Sequence, residues 1–300
     1  MSRRVGRRAP RLRGAAAADD ASTFLHRFAT PRAATARLES PNIDSVNQTS
    51  TPTARTGGWR TVREHGREAS GTVGHPRVTV LTVVRNGAGT LEACIRSVMA
   101  QTWPDIEHVI VDGGSTDGTI ALLERFDRHI AFWVSEPDAG IYDALNKGLR
   151  LATGEAYVVL GCDDLLLPTG VEMLMREGTG AMVVSGMVLF HSPHQGGKLI
   201  RNHSAGTLIR REAHDGLGLY DPSYRIAADT KFLMKARLAG LTRDIDDVVG
   251  VFTAGGASAN YGANVREHAR AMQESGAWSA WHSLLWRAPR LALAALRSGQ

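Results

Sequence analysis

The sequence predicts an α/β fold with a mostly parallel central sheet and helices on both faces. Three observations carry this. Val78–Val84 reads VTVLTVV, a continuous apolar and β-branched run suited to a strand buried on both faces. Strand-like and helix-like segments then follow in the order β-α-β-α-β-α-β up to residue 160. Acidic residues stand at the ends of the later strands, where open sheets of this kind bind their ligands.

After the first strand, Arg85–Gly89 reads as a turn, and Leu91, Cys94, Ile95 and Val98 recur at helical spacing. A second strand, Ile106–Val111, ends at Asp112 and enters the turn Gly113-Gly114-Ser115, where Ser115 or Thr116 can cap the next helix. That helix places Ile120, Leu123 and Phe126 on one face. Ile130–Val134 is a third strand ahead of Asp138, Ile141–Ala152 a helix, and Ala156–Leu160 a fourth strand ahead of Asp163 and Asp164. Beyond Pro168 the pattern is mixed: strands over Met182–Phe190, Thr207–Ile209 and Val248–Phe252, and a helix over Asp229–Ala239.

Charge divides the chain. Residues 1–75 hold thirteen arginines against six acidic residues, so that stretch carries +7 and the remainder −2 of the net +5. Residues 1–75 are expected to form a basic, largely disordered tail, 76–275 the folded domain and 276–300 an amphipathic C-terminal helix. Basic character confined to a tail argues against a nucleic-acid-binding fold. The Arg-rich start is not read as a twin-arginine export signal, because Ala15–Ala18 runs into Asp19-Asp20 instead of an apolar stretch. No apolar run is long enough to span a membrane. The two cysteines, Cys94 and Cys162, read as buried thiols in a reducing compartment.

Carboxylates are costly to crowd together, and a divalent cation carrying a diphosphate relieves that cost. Taken singly, each aspartate reads as a cap or turn residue; gathered at one sheet end, they suggest a metal–diphosphate site. The motifs then become specific. Thr82-Val83-Val84-Arg85-Asn86-Gly87, Ser97-Val98-Met99-Ala100-Gln101-Thr102 and Val109-Ile110-Val111-Asp112-Gly113-Gly114-Ser115-Thr116-Asp117-Gly118-Thr119 resemble the opening of family-2 glycosyltransferases. Ser135-Glu136-Pro137-Asp138-Ala139-Gly140-Ile141-Tyr142-Asp143-Ala144-Leu145-Asn146-Lys147-Gly148 resembles the branch that builds bacterial exopolysaccharide, capsule and O-antigen. The likeness covers about residues 77–260.

The resemblance implies the GT-A nucleotide-diphospho-sugar transferase fold and an inverting transfer from a nucleotide sugar, with UDP favoured over GDP or dTDP, to a glycan or lipid-linked acceptor. Thr82, Asn86, Asp112, Asp138, Lys147 and Asp163 are implied on the nucleotide-sugar side, with Asp112 meeting the base. A carboxylate at a strand end can indeed accept a ring N–H of uracil or guanine. Asp163, with Asp164, occupies the place of the family's Mg²⁺ or Mn²⁺ ligands, although Gly161 stands where the first acidic residue of that motif belongs. Asp229 reads from its position alone as a helix cap; the resemblance makes it the catalytic base. His203 is implied on the acceptor side, its plain alternative being a surface histidine. Lys147 can reach a phosphate or stand as an ordinary helical lysine.

Two other functions compete with this one. A dinucleotide-binding oxidoreductase needs a third glycine after Gly87-Ala88-Gly89, where Glu92 stands. The other is a non-catalytic nucleotide-sugar-binding or scaffold protein of the same fold, which Gly161 keeps open. Trp278, Trp281 and Leu285, with Arg287, Arg290 and Arg297 as the only charges after Glu274, suggest an interfacial helix. The expectation is a cytoplasmic enzyme in peripheral contact with the inner face of the membrane, the alternative being packing of that helix on the protein.

Overall fold

A computed structural model describes residues 54–61, 75–192, 196–253, 255, 261–279 and 290. The strands in chain order are β1 (Arg55–Gly57), β2 (Val78–Val84), β3 (Ile106–Asp112), β4 (Phe132–Ser135), β5 (Ala156–Gly161), β6 (Leu165–Leu166), β7 (Val183–Ser192), β8 (Gly196–Arg201), β9 (Thr207–Arg210) and β10 (Thr242–Thr253). The α-helices are α1 (Leu91–Met99), α2 (Thr119–Arg125), α3 (Ile141–Leu151), α4 (Gly170–Glu177), α5 (Ala213–Leu217), α6 (Ala228–Leu238) and α7 (Tyr261–Glu274).

Among the described residues the strands form one sheet in the order β1-β4-β3-β2-β5-β9-β7-β10-β6, with β8 paired to β7. The block β4-β3-β2-β5 is parallel, as the alternation requires. The rest is mixed: β10 runs parallel to β7, while β1, β6, β8 and β9 pair antiparallel with their neighbours. The sheet is therefore parallel through the block that carries the strand-end aspartates and mixed at its flanks, as the mixed pattern beyond Pro168 suggests. β10 begins earlier than expected, because its first turn of sequence, Thr242–Asp247, is polar and largely outward-facing.

Alternation along β2 divides the core. Leu81 faces α3 and α6 in a cluster with Tyr142, Leu145, Leu149 and Phe232. Val78 and Val80 face the other side with Cys94 and Val98 of α1 and Leu174 of α4. Helix α3 lies unusually close to the sheet, because a Cβ on Gly148 would overlap the side chain of Leu81. That close approach explains the glycine in the Asn146-Lys147-Gly148 motif.

Order was expected to begin at Pro76, but an earlier segment joins the sheet. Arg55–Gly57 pairs with β4, and the amides of Trp59 and Arg60 donate to the carbonyls of Ile130 and Ala131. Arg60 then reaches the fully buried Glu107 at 2.9 Å, which also accepts from Thr79 and Thr153. A buried carboxylate on β3 needs such donors, and no periodic signal marks the short strand that precedes the arginine. The residues expected to form the C-terminal helix lie outside the described residues, apart from 276–279 and 290.

Candidate active site

The strand ends of β2, β3, β4 and β5 open on one edge of the sheet, and loops stitched by side chains line it. Asn86 follows β2 with φ 54°, a left-handed conformation that asparagine tolerates. Its amide donates to Ser115 Oγ at 2.7 Å and its Oδ1 accepts from Thr116 N at 2.9 Å. Asp117 accepts from Ala88 N and Thr119 N in the same way. The loops after β2 and β3 are thus latched to each other.

Several expected donor-site residues are committed elsewhere. Thr82 is fully buried, with Oγ1 3.1 Å from His108 Nε2 and 3.8 Å from Cys94 Sγ, so its hydroxyl points into the core and not into the crevice. Asp112 is also fully buried; it accepts from Ser115 N at 2.9 Å, from the Ser115 hydroxyl and from Ser135 Oγ at 2.7 Å. The carboxylate read from the sequence as meeting the base is thus bonded within the turn after β3 and to Ser135. Lys147 pairs with Glu136 at 2.5 Å.

Asp138 is placed differently. Its Oδ1 accepts from Gly140 N at 2.9 Å, and its carboxylate lies directly over the Cα of Gly113, with Cγ 3.2 Å from the point where a Cβ would stand. It is half-buried at the mouth of β3 and β4.

Asp163 and Asp164 converge in a similar way over Gly161. Asp163 Oδ1 and Asp164 Oδ2 lie 2.9 and 2.7 Å from the position a Gly161 Cβ would take. The glycine that departs from the family motif thus vacates the space the two carboxylates share. Burial, and next the neighbouring Asp163, push the Asp164 carboxyl up to about 7. Burial also raises Asp163. Such a pair is short of positive charge, and a divalent cation fits it. Among the described residues no group of three or more His, Cys, Asp or Glu is placed to hold a metal. Burial, then Asp163, push the Cys162 thiol up to about 11, which keeps it protonated and unlike a ligand.

From this pair the site runs to Asp229 through β10. Thr253 N donates to Asp164 Oδ1 at 3.1 Å, and the neighbouring Phe252 ring packs on His203 at 4.0 Å between centroids. Burial lowers the His203 pKa while the Asp229 charge opposes that shift, so the two groups feel each other. Asp229, in the first turn of α6, accepts from Tyr142 at 2.9 Å. With Ser204, Thr207 and Tyr220 it lines a small cavity whose other walls are Val159, Ile209 and Leu233.

Sequence reasoning missed Tyr142, which lies inside a quoted motif but 87 residues from its partner. The same motif supplies Asn146, which brackets the backbone of Tyr220 with bonds of 2.7 and 3.1 Å. It also missed Glu267 of α7, whose carboxylate takes the amides of Arg225 and Ile226 and so holds the approach to α6. No short-range signal marks either pairing.

Comparison with known proteins gives the family and the fold. Residues 79–234 match Glycosyl transferase family 2. An uncharacterized glycosyltransferase of Mycobacterium tuberculosis is 32% identical over 187 residues, covering 54% of this chain and 70% of that protein. A PGL/p-HBAD biosynthesis glycosyltransferase of Mycobacterium bovis is 34% identical over 175 residues, covering 52% of this chain and 68% of the other. Among solved structures, a mannosyltransferase of Pyrobaculum calidifontis in complex with GDP-Man and Mn²⁺ aligns with a TM-score of 0.56 at 24% identity, covering 75% of each chain. TarS of S. aureus in complex with UDP-GlcNAc aligns with a TM-score of 0.55 at 17% identity, covering 72% of this chain and 71% of that one. These structures share the fold. The chain belongs to glycosyl transferase family 2 and is a glycosyltransferase.

Proposed function

We propose that this glycosyltransferase moves a sugar from a nucleotide-diphosphate sugar, with UDP as the first candidate, to a hydroxyl of a glycan or lipid-linked acceptor, with inversion at the anomeric carbon. The observation that carries this reading is the continuity from the converged Asp163–Asp164 pair through Thr253 and Phe252 to His203 and Asp229. A negatively charged pair suited to a metal–diphosphate stands at one end and a carboxylate suited to proton abstraction at the other. The solved complexes with GDP-Man and Mn²⁺ and with UDP-GlcNAc, on a shared fold, support the donor class.

Asp163 and Asp164 would hold Mg²⁺ or Mn²⁺, which when bound offsets the charge building on the leaving nucleoside diphosphate. Asp229 takes the proton from the acceptor hydroxyl, and that oxygen attacks the anomeric carbon from the face opposite the diphosphate. The C–O bond to the acceptor forms as the bond to the diphosphate breaks. Tyr142 orients Asp229 by donating to it. His203, held against Phe252 beside Asp229, borders the acceptor side.

The test is a panel of UDP-, GDP- and dTDP-sugars with lipid-linked acceptors, with EDTA and metal add-back, and the anomeric configuration of the product read by proton NMR. Metal-dependent transfer giving the opposite anomer is expected. Transfer with retained configuration, or activity indifferent to EDTA, would overturn the mechanism.

We also propose a cytoplasmic location with contact at the inner face of the membrane, resting on the aromatic, Arg-bearing segment after Gly276. Among the described residues no helix is long and apolar enough to cross a membrane. Sedimentation with anionic liposomes should fall for a chain ending at Gly276, with the basic N-terminal stretch removed from both versions. Equal sedimentation would dismiss this contact.

A further inference from the structure

We infer that Asp138, and not the strand-end Asp112, reads the nucleotide base, and that it does so from space left by Gly113. This rests on the nucleotide-sugar reading above and deepens it to the base. Asp112 is enclosed: its oxygens accept two side-chain hydroxyls and an amide, and none of its surface reaches solvent. Using it to meet a base would leave Ser115 and Ser135 without their acceptor and open the turn that Asn86 latches. The next residue, Gly113, offers no side chain. Its side-chain space is filled by the carboxylate of a residue twenty-five positions later, for a Cβ there would overlap Asp138 Oδ2. Only the other oxygen, Oδ1, is drawn back to Gly140 N.

The β3 end therefore still presents one carboxylate to the crevice, delivered from the loop before α3 instead of from β3 itself. A carboxylate only accepts hydrogen bonds. It matches a base whose ring nitrogen carries a proton, as in uracil, thymine and guanine. It opposes the bare ring nitrogen acceptors of cytosine and adenine. Asp138 thus selects among nucleotides by the sign of one hydrogen bond. An asparagine at the same place can turn its amide N–H toward those acceptors.

The experiment is calorimetric titration of the full chain with UDP, GDP, CDP and ADP in the presence of Mn²⁺, comparing wild type with Asp138→Asn. The wild type is expected to favour UDP or GDP over CDP and ADP by roughly 10- to 100-fold, the range of one hydrogen bond to a charged group. Asp138→Asn should bring that ratio near one or reverse it. The double variant Gly113→Asp with Asp138→Gly, which moves the carboxylate to the residue that follows β3, should restore the preference. Gly113→Asp alone should bind poorly, since its side chain collides with Asp138. An unchanged ratio in Asp138→Asn overturns the inference. So does an equal loss for all four nucleotides, which would make Asp138 a holder of the fold or the diphosphate. Failure of the wild type to bind any of the four would instead remove the nucleotide-sugar reading itself.

Discussion

At the scale of single residues, the molecule uses missing side chains to place charged ones. Gly161 lies under the carboxylates of its near neighbours Asp163 and Asp164, and Gly113 under that of the more distant Asp138. The aspartates were visible in the sequence as strand-end residues. Which of them face the crevice was not, because a strand end can turn its last carboxylate inward. The three-residue spacing from Asp112 to Ser115, typical of a side chain capping its own turn, was the available sign of that. The departure at Gly161 reads from sequence as an argument for a non-catalytic protein, whereas in the structure the two carboxylates occupy the space its missing side chain leaves. Gly161→Ala should therefore push Asp163 and Asp164 apart and raise the Mn²⁺ concentration needed for half-maximal activity by about tenfold or more, as changes supporting metal ligands do. A metal titration of the variant checks this, and an unchanged requirement would show that the pair does not need the vacated space.

At the scale of elements, the strands of the parallel block and α1 were legible in the sequence, since VTVLTVV and the apolar repeat of α1 report burial directly. Short edge elements stayed hidden: β1 has three residues and β6 two, too few for any pattern. β1 matters beyond its length, because Arg60 follows it. Arg60→Ala would leave Glu107 buried without its cation, at a cost of about 3 kcal/mol, lowered somewhat by the partial exposure of Arg60. Urea unfolding should show it as a fall in midpoint at constant slope. β3 also carries His108, whose pKa burial lowers to about 3. Its folded pKa lies below its unfolded value near 6.5, so only the unfolded chain binds this proton between those limits. Stability should therefore fall as pH drops from about 6.5 toward 3, by an amount on the order of a few kcal/mol. His108→Gln should flatten that part of the stability–pH curve; a curve unchanged by the substitution would place the titration elsewhere.

At the scale of the whole molecule, the alternation of the first half was legible because parallel strands and crossover helices leave long, regular signatures. The second half was legible only in pieces. There β9, β7 and β10 interleave by non-local pairing, and the contacts that complete the site, Tyr142 with Asp229 and Thr253 with Asp164, join residues more than eighty positions apart. On the function proposed above, the donor-side carboxylates come from the parallel half and the base from the mixed half, and the central claim is that they form one catalytic site with Asp229 as the proton acceptor. Asp229→Asn tests it most directly, with turnover and nucleotide-sugar affinity measured on the same preparation. Turnover lower by roughly 10²- to 10⁴-fold with donor affinity unchanged is predicted, the range a general base contributes. Turnover close to that of the wild type would contradict the account.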